Sequence, residues 1–213
     1  MNASITVLIV IAWAVVGAGA GWLVRWGSVR LARLEGLEPG NAQWQVYGPP
    51  ILSVLLFAAF AAGIHEFPLL AIRSVFVLVL VQVIFFDFEH RVILDRVIFP
   101  SMVLALVVSL FSQPWWAGMA TGLAAGLVFF LLGLAGQAIF KAEAMGFGDV
   151  KLAVFMGLLL GPLPTVQALF YGVFLAGLGS AGIVIWRRSL KGTIAYGPFL
   201  ATGALIVLYQ LPQ

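Results

Sequence analysis

Val97 to Phe140 reads VIFPSMVLALVVSLFSQPWWAGMATGLAAGLVFFLLGLAGQAIF, a stretch without one charged residue. One helix needs about 20 apolar residues to cross a bilayer. This run is roughly twice that length, and Pro114 interrupts it, so it reads as two membrane helices. Leu152 to Trp186 repeats the pattern, uncharged and broken at Pro162 and Pro164. A third run, VFVLVLVQVIFF from Val75 to Phe86, stops at Asp87.

Extending this reading in both directions gives eight apolar segments, at roughly 4–24, 48–64, 69–86, 96–112, 115–139, 147–161, 164–186 and 194–211. Composition agrees: 63% of the 213 residues are hydrophobic and 9% are charged, against about 25% charged in soluble domains. The expected fold is all-α, a polytopic membrane helix bundle of about eight transmembrane helices forming one domain over residues 1–213. Residues 25–47, the least apolar stretch, are expected to be a short connection. A lysine-rich tail and aromatic-basic interleaving are both missing, which argues against nucleic acid as a partner. The lipid bilayer is the expected surrounding.

Eight spans place both termini on one side and sort the basic residues. Arg25, Arg30, Arg33, Arg91, Arg96, Lys141, Lys151, Arg187, Arg188 and Lys191 fall on one face, and only Arg73 on the other. By the positive-inside rule the rich face is cytoplasmic and both termini are outside. Met1-Asn2-Ala3-Ser4 has no positive n-region, so the first segment reads as a retained helix; Gly17-Ala18-Gly19-Ala20 is the alternative, a cleavage site.

On that topology Asp87 ends the third helix and Asp149, in Gly146-Phe147-Gly148-Asp149, begins the sixth, both at the cytoplasmic face. An acid at the edge of a hydrocarbon span is costly and calls for a reason. Two carboxylates held close share a proton, because both cannot ionise comfortably. The ionised one takes a proton from water while its partner protonates a carbonyl or leaving amine. Gly146 and Gly148 lack side chains, which leaves room for a bend and for close approach to Asp149. Simpler readings stand beside these: Asp87 as a headgroup-level acid, and Asp149 as the N-cap of the sixth helix.

Other residues read more plainly. Glu89, Asp95 and Glu143 share the cytoplasmic face as solvated or salt-bridged acids, with reception of a basic substrate segment as the sharper reading. Lys151 is read as a headgroup contact or as tuning the acids. His90 lies within a turn of Asp87, and Gln82 reads as a packing residue. Gly197-Pro198 reads as a helix entry or as a wall of the active site. Ser180, in Gly179-Ser180-Ala181-Gly182, lacks a histidine base at a matching depth. His65 has no second histidine at metalloprotease spacing, and the chain has no cysteine, so neither a metal nor a cofactor is expected.

Three blocks carry a family resemblance. Asp87-Phe88-Glu89-His90-Arg91-Val92-Ile93-Leu94-Asp95 resembles the pattern of an Asp followed, after about six residues, by Pro-Asp or Pro-Asn. Met145-Gly146-Phe147-Gly148-Asp149-Val150-Lys151-Leu152 resembles a GxGDxK block, and Tyr196-Gly197-Pro198-Phe199-Leu200-Ala201 resembles a Phe-Gly-Pro-Phe-Leu block. Together they resemble the type IV prepilin peptidases, the GxGD membrane aspartic proteases. The resemblance implies cleavage of the leader from prepilin or pseudopilin substrates at the cytoplasmic membrane face, in type IV pilus or type II secretion systems. It also implies Asp87 and Asp149 as the catalytic pair, in an integral protein of the inner membrane. Two departures stand out. Leu94 replaces the family's Pro, and the cysteine-containing loop of many bacterial members, linked to N-methylation, is not matched between Arg25 and Tyr47. A peptidase without methyl transfer is therefore expected. The competing readings are a proton-coupled transporter, whose acids belong nearer the midplane, and a noncatalytic scaffold of pilus or secretion assembly. A presenilin-type protease is a further alternative, but its Pro-Ala-Leu block is not matched here.

Overall fold

All eight segments form α-helices in the computed structural model, which describes residues 3–140, 146–187 and 195–212. Lys141, Glu143, Met145, Arg188 and Lys191 lie outside the described residues. The helices are α1 Ala3–Leu34, α2 Gln43–Gly63, α3 Phe67–His90, α4 Asp95–Leu110, α5 Ala117–Phe140, α6 Phe147–Leu160, α7 Pro162–Arg187 and α8 Gly197–Gln210. Pro114 sits in the break between α4 and α5, and Pro162 opens α7, the position where a missing N–H does no harm. Gly161 makes that second break with φ of 76°, a left-handed conformation that glycine adopts without strain.

Five helices among the described residues are long and apolar enough to cross a membrane: α1, α2, α3, α5 and α7. The other three, α4, α6 and α8, have 16, 14 and 14 residues. At 1.5 Å per residue they span about 21–24 Å, less than the ~30 Å hydrocarbon layer. By contrast α1, with 32 residues, extends about 48 Å. It continues through Arg25–Leu34, expected to be part of a connection, because that stretch is rich in the helix formers Arg, Leu and Ala. Arg30 also lies over the ring of Trp26, one turn earlier, at 4.9 Å. The helix then closes in a Schellman motif: Gly36, at φ of 71°, donates to the Arg33 carbonyl and Leu37 donates to that of Ala32. The true connection to α2 is therefore only residues 35–42.

The helices fall into two units. The first comprises the described residues up to His90 together with Tyr209 to Pro212. Here α1 and α2 meet backbone to backbone: a Cβ on Gly21 would stand 2.4 Å from the Pro50 Cα. Two hydrogen bonds between uncharged side chains tie α1 to α3, from Trp13 Nε1 to Ser74 Oγ and from Ser28 Oγ to Gln82 Oε1, each 2.9 Å. Arg73, buried on α3, donates to the carbonyls of Leu211 and Pro212 at 3.0 and 2.6 Å. Those carbonyls follow the end of α8 and have no helical partner.

The second unit comprises Arg91–Leu208. Its centre is α6, whose Leu152, Ala153, Phe155 and Met156 are fully buried. Lipid tails are as apolar as leucine, so helices here associate by close packing rather than by escape from water. Gly118, Gly122 and Gly126 of α5 face Leu158 and Val154 of α6, and a Cβ on Gly157 would stand 2.5 Å from the Gly122 Cα. In the same way α8 presses Gly203 onto Gly172 and the Ala168 carbonyl of α7. Gly157→Ala should therefore force the α5 and α6 backbones apart at a cost of about 1–3 kcal/mol. Gly19→Ala, where the added Cβ meets nothing within 4 Å, should leave stability unchanged. Thermal unfolding in detergent, followed by tryptophan fluorescence, checks both.

Candidate functional site

The last turn of α3 carries Asp87, Glu89 and His90. Asp87 is buried, 5% exposed. Successive helical residues turn by about 100°, so Asp87 and Glu89 point to opposite sides of α3. Glu89 faces α1, where Arg25 donates to it at 3.4 Å. The Glu89 carboxylate also accepts the N–H of Gly40, and Arg25 donates in turn to the Gly40 carbonyl. The Arg25 and Glu89 side chains are 8% and 7% exposed. A pair so deep is tolerable only because these backbone groups satisfy the remaining hydrogen-bonding capacity. His90 packs on Phe86 at 4.7 Å, with Nε2 3.2 Å from Glu89. The helix stops at Arg91, a non-glycine residue with φ of 56°, a conformation that costs about 1–2 kcal/mol for an L-residue. Glu89 is thus salt-bridged, one of its two plain readings, and its partners lie within the protein.

Asp149 belongs to the other unit. Gly146 is the N-cap of α6, in extended conformation, so Asp149 is the third helical residue and not the cap. Its N–H donates to the Gly146 carbonyl at 3.1 Å. A carboxylate in the first turn is favoured there by the helix dipole. The half-buried Asp149 carboxyl hangs back over Gly146: a Cβ at that glycine would be 4.0 Å from Oδ2. Gly148 behaves differently, because a Cβ there would be 3.0 Å from the Cβ of Ile93. Its missing side chain accommodates Ile93, just before α4.

Lys151, two residues on, points away from Asp149 toward α4. It forms an ion pair with Asp95 at 2.5 Å and lies over the Phe99 ring at 5.2 Å. Asp95 is the first residue of α4, following the buried N-cap Leu94. This pairing joins the starts of α4 and α6. Gly197 and Pro198 are buried, and regular helix begins with them, so the backbone is not irregular at that point. Ser180 donates to the Ala176 carbonyl of its own helix at 2.6 Å. Gln82 is the packing residue expected, through Ser28.

Residues 74–181, which include both Asp87 and Asp149, match the sequence model of the type IV leader peptidase family. The chain belongs to that family. A Bacillus subtilis (strain 168) protein named prepilin leader peptidase/N-methyltransferase is 28% identical over 164 residues, covering 73% of this chain and 62% of that relative. The chain thus matches less than two thirds of the relative's length. No solved structure matches it.

Sequence reasoning missed Arg25 and Gly40 as partners of Glu89, and Ile93 and Phe99 as neighbours of the GxGD block. One signal was available: Gly36 marks the end of α1 and so shortens the connection that must reach α3. The two glycines of the block should respond differently to alanine. Gly148→Ala should lower stability by about 1 kcal/mol through Ile93, whereas Gly146→Ala should not. Paired melting curves of the two purified variants check this difference.

Proposed function

We propose that the protein is a membrane-embedded aspartic endopeptidase that removes the leader from type IV prepilin-like or pseudopilin substrates at the cytoplasmic face of the membrane. Its catalytic carboxyls are Asp87 and Asp149. The observation that carries this reading is the family match, which covers both acids in one stretch. Each acid also stands in the terminal turn of its helix, where an ionisable group costs less than at mid-bilayer depth.

In the proposed reaction the ionised carboxylate accepts a proton from water as the water oxygen attacks the scissile carbonyl. The protonated partner donates its proton to the carbonyl oxygen. As the tetrahedral diol collapses, one hydroxyl returns its proton to the carboxylate that had donated one, the C–N bond breaks, and the leaving amine takes up the proton that the other carboxyl had received from water. Gly146 leaves space beside the Asp149 oxygen in which a substrate backbone fits. The basic residues Arg25, Arg30, Arg33, Arg91, Arg96 and Lys151 support a cytoplasmic location for this end, with both termini outside. Methyl transfer is not part of the proposal, since the α1–α2 connection is residues 35–42 and contains no cysteine.

The test is incubation of purified protein in lipid with a prepilin carrying a Gly-Phe or Gly-Met junction. Wild type should yield the shortened product with an unmethylated N-terminus by mass spectrometry. Asp87→Asn and Asp149→Asn should each lower the rate by about 10²–10⁴-fold or more. Undiminished cleavage by either variant would falsify the two-carboxyl mechanism.

A further inference from the structure

Each candidate acid is followed two positions later by a charged residue that the fold ties to a neighbouring helix. Asp87 precedes Glu89, held by Arg25 of α1 and by the Gly40 backbone. Asp149 precedes Lys151, held by Asp95 at the start of α4 and seated on Phe99. Two residues along a helix is a rotation of about 200°. Anchoring the second residue to one neighbour therefore turns the acid to the opposite side of its helix.

We infer that the Arg25–Glu89 and Asp95–Lys151 ion pairs are rotational locks that aim Asp87 and Asp149, making Glu89 and Lys151 positioning residues for the reaction. This rests on the proposed peptidase activity.

Local geometry gives each lock a purpose. Asp87 lies in the last turn of α3, and helix ends fray unless something holds them. The Glu89 tie is the hold, placed one residue before the chain reaches His90 and the left-handed Arg91. Asp149 lies in the first turn of a helix whose N-cap offers no side-chain hydrogen bond. There the Lys151–Asp95 pair and the close seating of Gly148 on Ile93 do the holding. A pair at the surface contributes little to stability, and the Asp95 side chain is 57% exposed. Its value is angular, because small misplacements of a reacting group cost about 10²-fold in rate.

The test uses purified full-length protein in lipid and separates kcat from KM. Lys151→Met and Asp95→Asn should each lower kcat by about 10–100-fold with KM changed less than about threefold. The double variant should be no worse than either single, because both remove one pair, and Lys151→Arg should restore most of kcat. Glu89→Gln should show the same kcat loss; if the buried Arg25 then prevents folding, the half-exposed Lys151 pair decides alone. Normal kcat in Lys151→Met, with Asp149→Asn inactive, overturns the locks and leaves the aspartic mechanism standing. A second readout does not need activity. The chain has no cysteine, so Asp149→Cys introduces one thiol whose alkylation rate by a charged maleimide reports its orientation. Adding Lys151→Met should change that rate severalfold; an unchanged rate overturns the inference whatever the cleavage assay gives.

Discussion

Charge at the edge of a hydrocarbon layer is the constraint around which this protein is arranged. An isolated ion there is costly, so ionisable groups collect at helix ends and find partners. Arg25 meets Glu89 and the Gly40 backbone, Lys151 meets Asp95, and Arg73 meets two carbonyls beyond α8. Apart from these ties and the two hydrogen bonds from α1 to Ser74 and Gln82, the helices hold one another by contact, through glycines such as Gly21, Gly122 and Gly157 that bring backbones together. The polar ties hold the end of α3, the starts of α4 and α6 and the residues after α8, and the glycine contacts bring the shafts close.

Most of this architecture was legible in the residues. Uncharged runs broken by Pro114, Pro162 and Pro164 marked the helices, since proline and the bilayer both act locally along the chain. The extension of α1 past Arg25 was not legible from hydropathy, because helix propensity outlasts apolarity where the chain leaves the hydrocarbon. Gly36 held the correct boundary, since a left-handed C′ position favours glycine. The partners of Glu89 and Lys151 were illegible for a different reason. Pairings across tens of residues depend on which helix faces which, and a helix apolar on all sides carries no stripe to reveal that.

The candidate site divides the same way. Gly146-Phe147-Gly148-Asp149 was readable as a motif, but the two glycines looked equivalent. In the structure Gly146 borders the carboxyl and Gly148 seats Ile93. Asp149 stands at the third helical position and not at the cap, its simpler alternative reading, because Gly146 takes the extended conformation a cap requires. In the proposed peptidase these distinctions assign approach to one glycine and packing to the other.

The central claim of the proposed function is that the carboxyls of Asp87 and Asp149 act on a single peptide bond. The most direct measurement exploits the cysteine-free chain: Asp87→Cys with Asp149→Cys, treated with a short bifunctional maleimide in lipid and mapped by mass spectrometry. The account predicts an intramolecular bridge between positions 87 and 149. Complete labelling of both thiols as separate adducts, with no bridge, would contradict it.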